Sequence, residues 1–245
     1  MDDDDTRLGR VLTRREMIAW LGAGGAALLA GGVSGAARAA ELKGDAPRVC
    51  VVTPEQTEGP YYVESRLNRS DIRTDPLQGI RREGVPLVLA FRVLSVERGG
   101  CEPLNGAMVD LWQCDAQGLY SDVRDPRFNT VGKRFLRGYQ LTDPDGRARF
   151  TTIYPGWYPG RAVHIHFKVR IKGEDKGYGF TSQFYFDDAL TDRIHARAPY
   201  AERGNKRTRN SEDGLYRRGG KQLTLAVAEN TEGLTAAFDI GLKLA

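Results

Sequence analysis

The chain has 245 residues, 36 basic and 32 acidic side chains, and a formal charge of +4. Hydrophobic residues at 40% and charged residues at 28% allow a substantial buried core, and 29 glycines and 11 prolines without a repeat suggest many turns, excluding both collagen and disorder. The basic excess is local, in Arg203–Thr208 and Arg217–Lys221. Without interleaved aromatics or a recognition helix it reads as solvated loop charge, and no nucleic-acid partner is expected.

The first forty residues carry an export layout. Arg14 and Arg15 follow Thr13, a weakly apolar Gly- and Ala-rich run extends over Met17–Ala37, and small residues surround Ala39. The paired arginines resemble a twin-arginine signal, so export machinery is the expected partner of residues 1–39. Cleavage near Ala39 would leave one mature domain, 40–245, in the periplasm or outside the cell. Uncleaved, Met17–Ala37 is long enough to span a bilayer and would anchor the chain. An oxidising compartment permits one disulfide among Cys50, Cys101 and Cys114. Cys101 with Cys114 is the favoured pair, although a straight strand between them would hold them too far apart.

Strand-like segments then follow in order: Val85–Val96, Gly106–Cys114, Arg134–Asp143, Arg147–Pro155, Val163–Lys172, Ser182–Asp188, Lys221–Asn230 and Leu234–Leu244. Asp143-Pro-Asp-Gly146 closes a hairpin between the third and fourth. Helix is expected only around Asp187–Arg197. About eight short strands with no alternating helices predict an all-β, antiparallel sandwich with long loops.

Two of the three histidines, His164 and His166, lie one residue apart in the fifth segment. Side chains alternate along a strand, so Val163, Ile165, Phe167 and Val169 take the core while His164, His166, Lys168 and Arg170 share the polar face. Two imidazoles so spaced can reach one metal ion. A third-histidine zinc site would need His195, in what reads as a solvent-facing turn or short helix, and a carboxylate-completed iron(II) site would need Glu174, in a glycine-rich turn. Neither shell is convincing. Tyr158, just upstream, and Tyr120 offer hard anionic oxygens, and two phenolates with two neutral imidazoles suit a trivalent ion, Fe(III).

Four ordered segments, Thr53–Val63, Asn105–Asp122, Phe135–Val169 and Thr181–Phe186, resemble the signature segments of intradiol ring-cleavage dioxygenases, the family of catechol and protocatechuate dioxygenases. The resemblance implies a β-sandwich holding one non-haem Fe(III) through Tyr120, Tyr158, His164 and His166. It makes Tyr158 and His166 axial ligands, Tyr120 and His164 equatorial, and Tyr158 the phenolate that leaves as a catechol dianion binds. Arg161 takes the place of the family's active-site arginine, Gln183 that of a glutamine beside the substrate and oxygen pocket, and Tyr61 or Tyr62 lines the entrance. Pro-Gly-x-Tyr selects Tyr158 rather than Tyr154. The implied reaction inserts both atoms of O2 into a catechol and yields a cis,cis-muconate-type diacid. The export signal and the cysteines depart from the cytoplasmic members, and a long N-terminal dimerisation helix is not seen, which leaves substrate size and homo-oligomer formation open. An exported, non-catalytic module that binds aromatics or metal is the rival reading; it predicts catechol binding without oxygen uptake.

Overall fold

In the computed structural model the described residues are 50–98, 100–171, 178–204 and 206–244. The segment 1–39, read from sequence as an export signal, and Glu174 lie outside them. Among the described residues the chain runs β1 (Pro86–Glu97), β2 (Gly100–Pro103), β3 (Met108–Trp112), β4 (Arg124–Asp125), β5 (Phe128–Asn129), β6 (Arg137–Leu141), β7 (Arg147–Ile153), β8 (His164–Ile171), β9 (Tyr178–Tyr185), α1 (Asp188–His195), β10 (Val227–Asn230) and β11 (Gly233–Leu242). One sheet orders β10-β11-β1-β2 with β7 also on β1; the other orders β6-β3-β8-β9. The long β1 pairs antiparallel with β7 over its first half and with β2 over its last four residues. Its other edge takes β11 in parallel, the one departure from an antiparallel pattern among these ladders.

The two sheets meet through alternate side chains, as a period of two requires. Leu87, Leu89, Phe91 and Val93 of β1 are buried, as are Ile165, Phe167 and Val169 of β8. Phe184 of β9 links the layers, stacking on Phe167 at 4.2 Å and on Phe91 at 4.9 Å between ring centroids. Each such side chain contributes roughly 1.5–3 kcal/mol through burial, which is why the alternation fixes the register.

The expected strands form with shifted ends, β9 beginning at Tyr178 and β1 running to Glu97, except that Gly220–Leu223 is a 3-10 turn and only Val227–Asn230 of that segment is strand. The Asp143–Gly146 turn joins β6 and β7 of different sheets and closes no hairpin. The helix lies where expected, capped by the Asp187 carboxylate on the amides of Ala189 and Leu190. The cysteine pairing is corrected: Cys50 bonds to Cys101, and Cys114 is free and buried. Cys101 sits on β2 of one sheet and Cys114 just beyond β3 of the other, so the intervening strand carries the two apart. His195 is also corrected. It faces inward, stacked on Tyr200 at 5.0 Å with Nε2 3.0 Å from the Pro155 carbonyl. Of the basic loops, Arg217, Arg218 and Lys221 are exposed as expected, but the Arg207 side chain is buried in ion pairs with Asp188 and Asp192.

Candidate functional site

The outer face of the second sheet presents one lateral row, in which Arg137, Trp112, His166 and Gln183 are successive cross-strand partners on β6, β3, β8 and β9. His164 pairs likewise with Tyr185. Lys168 and Arg170, further along β8, stay half-exposed, but His164 and His166 are buried, at 2% and 1% exposure. The sequence expectation of a plainly polar face therefore fails at the histidine end. The chain between Thr53 and Tyr62 crosses it: Gln56 N bonds to Thr181 O, Lys168 Nζ to the Glu58 carboxylate, and an added Cβ on Gly59 would lie 3.3 Å from His166 Cε1.

Two loops bring the tyrosines to this spot. After β3 the Asp115 carboxylate accepts from the amides of Gln117 and Leu119, closing the turn that delivers Tyr120. After β7 the chain passes Pro155–Trp157 to Tyr158. The loops touch backbone to backbone, because a Cβ at Gly118 would stand 2.2 Å from Trp157 O and one at Gly156 would stand 2.5 Å from Asp115 O. Glycine at both positions is what lets Tyr120 and Tyr158 approach to 5.7 Å between centroids.

Four donor groups meet. His164 Nε2 lies 2.9 Å from His166 Nε2 and 3.1 Å from the Tyr158 hydroxyl. Tyr120 stands 6.1 Å from His166 between ring centroids, and its hydroxyl is buried without a hydrogen bond. His164 Nδ1 sits 2.6 Å from Ala162 O, so it carries the proton and leaves Nε2 as a lone pair. Burial, with the charge of Arg161, pushes His164 down to about 3; burial and its neighbour His164 push His166 well down too, so both rings are neutral. Burial raises the phenols of Tyr120 and Tyr158 well above 10. A bound cation inverts that order by stabilising phenolate. Among the described residues no three His, Cys, Asp or Glu side chains cluster for a metal, so a metal held here needs tyrosine. The unpartnered Tyr120 hydroxyl and the two facing Nε2 atoms fit such an ion.

Arg161 is gripped along one edge. Its Nε donates to Asp213 at 3.0 Å, and its Nη2 donates to Gln183 Oε1 at 2.6 Å and Tyr185 Oη at 3.3 Å. Burial alone would lower its guanidinium, but the charges of Tyr158, Asp213 and Tyr185 hold it above its ordinary value. Gln183 is fixed in turn, Nε2 donating to Thr57 O, and Tyr185 donates to Gln56. Tyr61 stacks on Tyr120 at 4.6 Å and meets Tyr158 edge-on; Tyr62 packs instead on Trp112, which lies flat against His166. Tyr154 is elsewhere, its hydroxyl on Thr191.

Trp112, Arg137, Tyr185 and Asp213 escaped the sequence reading. Trp112 and Tyr185 are cross-strand neighbours of the histidines and Arg137 is the next partner beyond Trp112, so pairing β6, β3, β8 and β9 in order would have found them. Asp213 reaches Arg161 across 52 residues with no local signal.

Comparison with known proteins shows the family. A family model described as "Dioxygenase" matches residues 57–240. The chain is 36% identical over 171 residues to a protocatechuate 3,4-dioxygenase beta chain of Burkholderia cepacia, covering 65% of each. It is 27% identical over 169 residues to a chlorocatechol 1,2-dioxygenase of Pseudomonas putida, covering 60% of this chain and 58% of that one. It thus spans about two thirds or less of these relatives' length. An intradiol ring-cleavage dioxygenase from Tetranychus urticae superposes with a TM-score of 0.70 at 30% identity, over 79% of this chain and 95% of that one. With the match running from the Thr57 carbonyl that holds Gln183 to the last strand, the chain belongs to the intradiol ring-cleavage dioxygenase family.

Proposed function

We propose that this chain is a non-haem Fe(III)-dependent dioxygenase that opens a catechol-type ring between its two hydroxyl-bearing carbons, giving a cis,cis-muconate-type diacid. The observation that carries the reading is the meeting of Tyr120, Tyr158, His164 and His166 beside an arginine held on one edge. Two neutral imidazoles and two phenol oxygens would hold one iron per chain, which when bound supplies the Lewis acidity and one-electron character that let a catecholate react with O2.

The residues' own parts follow from their surroundings. Tyr158 is the less buried of the two tyrosines and its hydroxyl touches the neutral His164. As a phenolate, its oxygen would accept a proton from a catechol hydroxyl. Arg161 uses Nε and Nη2 on protein partners, which leaves Nη1 for anionic charge developing on the substrate. Gln183 keeps that guanidinium from turning, and Tyr61 walls the Tyr120 side and excludes water.

Work outside the cytoplasm is part of the proposal. The Arg14-Arg15 export pattern and the Cys50–Cys101 disulfide support a periplasmic or secreted protein, since such bonds persist in oxidising compartments. The test is direct: purified full-length protein should contain iron, absorb in the visible through tyrosinate-to-iron charge transfer, and consume O2 with a panel of catechols while a muconate absorbance grows. A colourless protein, or a semialdehyde product, would sink the reading.

A further inference from the structure

Arg137 is 1% exposed on β6, two strands from His166, and its bonding is unusual for a buried cation. Its Nε donates to Ser121 O and to Ser121 Oγ, both at 3.0 Å. Its Nη2 donates to Tyr61 O and Ser121 O, both at 2.7 Å. Nη1 is buried with no hydrogen bond, and no carboxylate of the described residues lies within ion-pair distance. Arg161, Arg170 and Arg207, by contrast, each face an aspartate within 3.0 Å.

Burying a guanidinium among neutral oxygens costs several kcal/mol unless negative charge stands close by. Among the described residues no carboxylate supplies that charge by direct contact, and the carbonyl it bonds twice is that of Ser121, the residue after Tyr120. Burial lowers the Arg137 guanidinium only to about 10, so it stays cationic at neutral pH. The backbone it grips is equally specific. Ser121 follows Tyr120 directly, and Tyr61, whose carbonyl takes the other bond, is the ring stacked on Tyr120.

We infer that Arg137 is a positioning residue for Tyr120: it clamps the stacked Tyr61–Tyr120 pair through their backbone and supplies the fixed positive charge that balances Tyr120 as a phenolate in the iron-loaded centre. The inference rests on the proposed function, because only a bound metal calls for that phenolate. It assigns the charge of the centre to two arginines on opposite sides, Arg161 toward substrate and Arg137 behind the ligand.

The experiment compares full-length wild type, R137K and R137M, each loaded with iron, by the visible charge-transfer band and by iron retained against a chelator at pH 7, with thermal melts to check folding. R137M should release iron about 10-fold more readily, the usual size of a lost outer partner. Its band should move to longer wavelength, because a phenolate stripped of a neighbouring cation is easier to oxidise. R137K, keeping the charge, should hold iron within about three-fold of wild type on the same scale. R137M matching wild type in band and retention overturns the inference, and equal impairment of R137M and R137K overturns the charge assignment. If R137M does not fold, R137K decides alone: near-wild-type retention and band support the inference, and a loss as large as about 10-fold overturns it. A wild type that is colourless and iron-free instead refutes the proposed function, which is a distinguishable result.

Discussion

Tyr158 Oη stands 3.1 Å from His164 Nε2, and the Ala162 carbonyl, 2.6 Å from Nδ1, fixes the ring's proton on its far side. The phenol therefore meets a lone pair and not an N–H. Under the proposed function, Tyr158 would be the tyrosine that can take a proton and Tyr120 the one that only holds the ion, which separates the roles of the two tyrosines.

Replacing either tyrosine by phenylalanine should accordingly give different losses. Tyr158→Phe is expected to keep iron, shift the visible band and lower turnover about 100-fold or more, the range for a lost general base. Tyr120→Phe, at a hydroxyl with no other partner, should lose iron and colour outright. Metal analysis and absorbance of both variants check this; a Tyr158→Phe band identical to wild type would mean that the tyrosines were assigned wrongly.

Asp213 accepts from Arg161 Nε and, at 2.8 Å, from Ala162 N through the same oxygen, while its other oxygen accepts from Leu215 N. Asp213→Ala should cost about 100-fold in kcat with catechol affinity little changed, as a displaced arginine binds but does not stabilise. Arg161→Ala combined with Asp213→Ala should be no worse than Arg161→Ala alone. Additive losses in steady-state kinetics would show that the aspartate acts through something else.

The buried His195 gives the fold an acid-side weakness. Burial holds its pKa down to about 4, below the ordinary 6.5. Between those values the unfolded chain takes a proton that the folded chain refuses, so stability is full above about pH 6.5 and erodes as pH falls toward 4, by up to about 3 kcal/mol. Urea unfolding of wild type and His195→Gln at pH 7 and pH 5 tests this. The wild type should lose more on acidification than the variant, and equal losses would remove His195 as the cause.

Cys50 and Cys101 join positions 51 residues apart. Cys101→Ser should lower stability by roughly 2–4 kcal/mol. Cys114, buried and with a thiol pushed up by desolvation, should react with a thiol reagent only after unfolding. Denaturation with and without reductant, and thiol labelling in the folded state, check both statements; fast labelling of the native protein would contradict the burial.

The sandwich was legible because its strands keep a two-residue period: Leu87, Leu89 and Phe91 announce a buried face whatever they pack against. The site was legible where its residues are neighbours in sequence, as with Tyr158, His164 and His166. Tyr120 was a candidate by residue type alone and Arg161 came only with the family resemblance, since the contact through Gly118 and Gly156 that brings the Tyr120 loop alongside is not local in sequence. His195 was misread because one face of a short helix decides its burial, and its own heptapeptide is polar. The disulfide was misread because sequence closeness says nothing about which sheet a cysteine joins. Asp213 reaches Arg161 across 52 residues, and such a pair leaves no trace in a single chain's local pattern.

The segment that covers His166 is held at its start by the end of the chain. Thr53 N bonds to Gly241 O at 2.8 Å, and Gly241 N returns a bond to Thr53 Oγ1 at 2.9 Å. A ribosome releasing this polypeptide thus delivers the cover of the centre first and its latch last, nearly two hundred residues later. Contacts so distant in sequence form late. The side chains proposed to hold iron are made well before the strand that latches their cover, and a polypeptide stopped before β11 is expected to retain added iron more weakly than the full chain.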